Sequence, residues 1–237
     1  ISVQLKPEQL PAALAHGLKN KSGAPNQIDA RLDEAYSTRM AQALSAQEIQ
    51  LLGIVTGDRE RGLALCRAGN LGDGDTAISR ARRRLVHADV GREAYVLSDS
   101  FLCAAEAFVH YRSRRVQAAT STLVAAIDGC RELRDEFGYL AEGRRIHLTC
   151  NLARVELAAD QQARSSRTLA QLLALLDTAD RHHWPLPDLE YTTGPDTLPN
   201  DARWDLVDQI LDVGRRLDVS GVRALRDDSP TPTHRDN

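Results

Sequence analysis

The chain has 237 residues, of which 42% are hydrophobic, 27% charged and 4% aromatic, with a formal net charge of −3 at pH 7. That length and usage suit an ordinary globular protein with a real core. The small net charge supplies no overall field to draw the protein toward nucleic acid or an anionic membrane surface.

Ala, Leu and Arg are plentiful and β-branched runs are absent, which favours helices over strands. The basic residues are almost all Arg, with Lys only at Lys6, Lys19 and Lys21, as codon bias in a GC-rich bacterial genome would produce. Cys66, Cys103, Cys130 and Cys150 form no CxxC pair, and each sits in an apolar helical stretch. They read as buried reduced thiols, an expectation that goes with a cytoplasmic location. No run of about 18 apolar residues or signal-peptide core is visible, so no membrane partner is expected. The chain opens on Ile1 rather than Met, which fits a processed, tagged or excised segment and leaves a preceding domain open.

Breakers and caps predict an all-α fold of about nine helices. An amphipathic opener covers Pro7 to Lys19 and ends in a Ser-Gly-Ala-Pro loop. A helix from Gln27 to Leu44 follows. Ser45 and Glu48 then form a capping-box pattern for a helix reaching about Arg67. The stretch Gly69-Asn70-Leu71-Gly72-Asp73-Gly74 reads as a turn. Asp75 is expected to cap the next helix, which ends near Ala88.

Four longer helices are expected at 92–112, 115–136, 139–160 and 162–183. Very short joints at Ser113-Arg114, Gly138 and Asp160-Gln161 imply antiparallel neighbours. His182-His183-Trp184-Pro185 closes the run, with histidines suited to a helix C-terminus. A last helix is predicted over about 201–217. Residues 1–91 are assigned to N-terminal helices that cap or extend the stack, 92–217 to a repeat core with its C-terminal helix, and 218–237 to a mostly disordered tail.

Two patterns point to stacked hairpins. At an offset of 46 residues Leu102 matches Leu148, Ala107 matches Ala153, Val109 matches Val155, Thr122 matches Thr168 and Leu123 matches Leu169. Within 139–160, Ile146, Cys150, Ala153 and Leu157 form one apolar stripe, and Leu148, Leu152, Val155 and Ala159 form another on nearly the opposite side. A helix apolar on two faces is sandwiched between layers, as an inner solenoid helix is.

The segments Ala104 to Arg112 with Ala118 to Ile127, and Asn151 to Leu157 with Leu169 to Leu176, resemble tetratricopeptide-type hairpins. The likeness covers 92–183 well and 46–89 faintly. The helices are longer than the usual unit of about 34 residues. The signature Trp, Gly and Pro positions are mostly missing. The sequence is therefore most similar to the divergent, long-helix repeats of bacterial regulators. That resemblance implies a short solenoid that binds peptides, partner proteins or small signals.

Between the two stripes of 139–160 lie His147, Asn151 and Arg154; 46 residues earlier the matching face holds Phe101, Ala105 and Phe108, with Arg112 one turn on. Stacked side by side, these seven residues would form a groove. Asn and Arg suit a backbone amide and a carboxylate, and the phenylalanines supply apolar anchors. The plainer account is a solvated helix edge.

Glu106 and His110 share a helix face at metal-ligating spacing. A polar pair on an exposed edge is the stronger reading, since no second Glu-x-x-His motif appears. Asp73 and Asp75 among glycines lack the rest of a calcium loop. The Arg80, Arg82–Arg84 and Arg112–Arg115 clusters read as solvated faces.

No catalytic motif or phosphate loop is visible, and no cofactor is called for. The expectation is a cytoplasmic adaptor or sensor that recognises a peptide, a protein or a small ligand. A helical, metal-dependent enzyme of a bacterial biosynthetic pathway and a dimeric structural module are the alternatives.

Overall fold

A computed structural model describes residues 28–189, 198 and 200–214, with backbone only for 28–35, 200 and 201. Among the described residues there are eight α-helices and no strand. They are α1 (Ile28–Ala43), α2 (Ala46–Arg67), α3 (Leu71–Val86), α4 (Arg92–Arg112), α5 (Val116–Phe137), α6 (Glu142–Ala158), α7 (Gln162–Thr178) and α8 (Asn200–Gly214). The expected opener at Pro7 to Lys19 and the tail from 218 lie outside the described residues.

The helices pair as the short joints require. α2 with α3, α4 with α5, and α6 with α7 form hairpins, and each hairpin lies on the next. α2, α4, α6 and α8 make an inner row, while α3, α5 and α7 make an outer one. α2 packs on α4, and α6 on α8, but α4 and α6 approach each other only sparsely. That opening in the inner row is the main irregularity of the stack.

One backbone feature recurs along the stack at nearly constant spacing. Gly69, Arg114 and Asp160 all adopt the left-handed conformation, at φ 94°, 57° and 57°. In each joint the following N–H reaches back five residues: Asn70 to the Leu65 carbonyl, Arg115 to His110, and Gln161 to Glu156. This is the helix-ending arrangement in which a left-handed residue turns the chain and satisfies an orphan carbonyl. The two intervals, 45 and 46 residues, match the offset found in the sequence.

The start of α2 has the expected capping box. Ser45 Oγ accepts from the Glu48 N–H, and Glu48 Oε2 accepts from the Ser45 N–H at 2.9 Å. Glu48 Oε1 also accepts from the Gly91 N–H at 2.9 Å, tying α2 to the start of α4.

Three boundaries differ from expectation. Helix α3 begins at Leu71 rather than after Asp75, so Gly72 and Gly74 are helical. The reason is packing: a Cβ on Gly74 would lie 2.2 Å from Cys66 Sγ, and one on Gly62 2.8 Å from the Gly74 carbonyl. Those glycines let two backbones cross closely and are not a loop signal. Helix α7 stops at Thr178, because Ala179 is left-handed and Asp180 caps a separate 3-10 turn over Arg181–His183. The histidines therefore do not end the long helix. Helix α6 starts at Glu142, later than 139, because Gly138 breaks the chain and Tyr139 is drawn into the core.

Most of both stripes of 139–160 is buried: Ile146, Cys150 and Ala153 on one side and Leu148, Leu152 and Val155 on the other, while Leu157 and Ala159 at the C-terminal end are half-buried. Helix α4 is equally two-faced. Its Ala94, Leu97, Cys103 and Ala107 enter a large core with α5 to α8, while Leu102, Ala105 and Val109 enter a second core with α2 and α3. Helix α1 folds back onto this region, where Tyr36 stacks on Tyr139 at 5.4 Å and meets Phe101 edge-on at 5.7 Å. No described helix is long and apolar enough to cross a membrane.

Candidate functional site

A cavity of about 290 Å³ occupies the opening between α4 and α6, with α2 as its third wall. Phe101, Ala105 and Phe108 reach it from α4, and His147 and Asn151 from α6. A second space of about 140 Å³ adjoins it, sharing Ala104, Phe108 and Asn151 and extending to Arg154, Tyr111, Leu123 and Val155. Six of the seven residues singled out in the sequence thus line one continuous trough. The seventh, Arg112, is exposed and rests its guanidinium 5.7 Å from the Phe108 ring centre without lining either space.

The large side chains at 101, 108, 144 and 147 account for the opening, since small residues would let the inner helices close as ridge into groove. The two ends of the trough differ in character. The first is rich in guanidinium groups, from Arg59, Arg67 and Arg144. The second is mostly hydrocarbon, from Ala107, Tyr111, Leu123 and Val155.

Phe101 is not a bare anchor. Arg144 lies over its ring at 3.4 Å from the centroid, and Arg59 lies over it at 4.7 Å. Arg59 is held in turn by Glu60, which accepts from its Nη2 at 2.6 Å. A planar guanidinium on an aromatic face gains from the ring's quadrupole while keeping its N–H edge available.

The polar strip of α6 is an ordered ladder. His147 Nδ1 donates to Gln209 Oε1 of α8 at 2.9 Å, and its Nε2 accepts from Asn151 Nδ2 at 3.1 Å. Asn151 Oδ1 accepts from Arg154 Nη1 at 2.6 Å, and Arg154 lies 3.9 Å from Asp212. The strip is thereby held in one geometry before anything binds.

The arginines missed in the sequence are the site's main charges. Arg144 lies one turn before His147 on the same face, so extending the strip backward would have found it. Arg59 and Arg67 come from α2, where the repeat likeness was faint.

Other candidates are absorbed by the fold. The Glu106 carboxylate receives Arg82 Nε and Nη2, each at 2.8 Å, and Arg82 also binds Asp99. Arg80 and Arg84 share Asp58, so much of the basic cluster on α3 is neutralised by the chain's own acids. Among the described residues no three His, Cys, Asp or Glu side chains gather as a metal site. All four cysteines are free and buried. Burial pushes the Cys103 thiol up to about 11 and Cys150 to about 12, which leaves both as protonated thiols rather than nucleophiles.

Compared with known protein families, curated proteins and solved structures, the chain matches none.

Proposed function

We propose that this chain is a divergent tetratricopeptide-like binding module, an adaptor or sensor that holds its ligand in the trough between α4 and α6. One observation carries the reading: side chains a full repeat apart in sequence converge on the same two adjoining spaces. The ordered ladder of His147, Asn151 and Arg154 supports it, since a preorganised polar edge binds without the entropy cost of being ordered first. The trough is at the small end of ligand sites, which run to roughly 300–1,000 Å³. A small molecule or the end of a peptide suits it better than a folded partner surface. The four buried free thiols support a reducing compartment such as the bacterial cytoplasm. Among the described residues the large exposed apolar side chains, Ile49, Ile54, Val86 and Leu140, are scattered over three segments, so the dimeric alternative gains no patch from them.

Native mass spectrometry of the chain purified from its host under non-denaturing conditions tests this. The expected result is a bound species released on denaturation, and absent from Ala104→Trp, which fills the wall shared by both spaces. An unliganded wild-type spectrum, or equal loading of Ala104→Trp, overturns the reading.

A further inference from the structure

Among the buried cations, Arg144 stands apart. Arg145, its neighbour, is fully buried but is held by Glu142, by the Leu189 carbonyl and by the Trp184 ring. Arg59 is bound by Glu60. Arg144 is only 6% exposed, yet it makes no ion pair among the described residues, and its buried Nε has no hydrogen-bond partner. It rests on the Phe101 ring and beside the Cys130 thiol, neither of which carries a compensating charge. A buried guanidinium without a counter-charge is costly, and folds seldom retain one. This one faces a cavity.

We infer that the trough takes an amphipathic carboxylate, whose acid group pairs with Arg144 while its apolar body crosses Phe108 toward Tyr111, Leu123 and Val155. The inference rests on the reading of this trough as a ligand site. The planar fork of one guanidinium matches the two oxygens of a carboxylate. Arg67, exposed at the rim and without an ion pair among the described residues, adds attraction at the entrance. A phosphate dianion would need a second dry, uncommitted cation, and Arg59 is already neutralised by Glu60. The hydrocarbon end of the trough then accounts for the rest of the ligand. The acid group could come from a free small acid or from a chain's C-terminus, which share this chemistry.

Calorimetry on the full chain with octanoate, its neutral analogue octanamide, and inorganic phosphate is the test. Octanoate is expected to bind at least tenfold more tightly than octanamide, and phosphate not to compete. Arg144→Gln is expected to lose at least tenfold in octanoate affinity while its unliganded melting temperature stays level or rises, since an uncompensated charge has been removed. Arg67→Gln, which is exposed and leaves folding untouched, is expected to weaken octanoate severalfold and flatten its salt dependence. Arg83→Gln, outside the trough, is expected to change neither. A tripeptide, acetyl-Ala-Leu-Leu, compared with its C-terminal amide separates the sources: tighter binding than octanoate assigns a chain end, weaker a free acid. Equal binding of octanoate and octanamide, both abolished by Ala104→Trp, overturns the carboxylate but leaves the trough as a ligand site. Undiminished octanoate binding by Arg144→Gln and Arg67→Gln, or no octanoate binding at all, also overturns it.

Discussion

The Arg144 guanidinium lies 3.4 Å from the centroid of the Phe101 ring, so a charge on α6 is carried by an aromatic face on α4 across the gap between them. Arg59 from α2 and Tyr36 from α1 rest on the same ring. Four helices therefore meet at one phenylalanine, at the place where the inner row fails to close.

Phe101→Leu removes those contacts while keeping an apolar side chain. Each cation–π contact contributes about 0.5–2 kcal/mol and the edge-on aromatic pair about 0.5–1.5. The expected loss is about 2–4 kcal/mol in denaturant unfolding. In a double-mutant cycle, Phe101→Leu should cost clearly less in an Arg144→Met background than in the wild type. An equal cost in both backgrounds would mean that the ring does not carry the guanidinium.

The glycines of α2 separate into two kinds. Gly62→Ala places a Cβ 2.6 Å from Ile78 Cγ1 and 2.8 Å from the Gly74 carbonyl, so the α2–α3 crossing must widen. A loss of about 1–3 kcal/mol is expected. At Gly53 and Gly57 a Cβ would meet nothing within 4 Å, and both lie exposed in the helix interior. Changing either to Ala should stabilise the protein by about 0.5–1 kcal/mol. Thermal unfolding of the three variants checks both signs.

Glu48 and Glu156 should respond to pH in opposite senses. The Ser45 and Gly91 backbone N–H groups and the Ser45 hydroxyl hold the Glu48 carboxyl below its ordinary value of 4.5. Its contribution to stability is fully present above that value and is lost as pH falls through the lower folded value. Burial pushes Glu156 above 4.5, against the opposing pull of Arg164 and Thr168. Stability is therefore lost as pH rises from 4.5 through the raised folded value, and the loss is complete above it. Urea unfolding from about pH 2 to 8 should show Glu48→Gln losing the slope on the acid side of 4.5. Glu156→Gln should gain on the wild type as pH rises, because its pair with the largely exposed Arg164 is worth little.

Arg82 and Arg83 are adjacent on α3 but differ in surroundings. Arg82 holds Asp99 and Glu106, and its side chain is 23% exposed. Arg82→Met leaves two carboxylates facing each other, and about 1–3 kcal/mol should be lost, partly recovered at high salt. Arg83 is exposed, and Arg83→Met should stay within about 0.5 kcal/mol of wild type. Equal losses for the two would show that the acidic partners contribute nothing.

Most helix ends were legible because their signals are local. Ser45 and Glu48 announce a cap within four residues, and the joints at 113–115 and 159–161 lie between two strongly periodic segments. Gly72 and Gly74 misled for the same reason. In isolation they look like a turn, and only the approach of α2 shows why a helix needs them. The histidines at 182 and 183 were assigned to a helix end because nothing nearby predicts a left-handed Ala179.

By itself the sequence determined the all-helical character, the order of the hairpins and the two-faced burial of α6, because periodicity and caps act within a few turns. It also placed six trough residues on matching faces, since a repeat converts a fixed offset into spatial adjacency. Only the tertiary structure decided that α4 and α6 stand apart, that Glu106 and Arg82 cancel, and that Arg144 is buried facing a cavity with no ion pair among the described residues. Those outcomes depend on which charges meet across helices distant in the chain. Hydrophobic periodicity says which face turns inward, but a counter-charge is supplied, or withheld, by whatever packs against it.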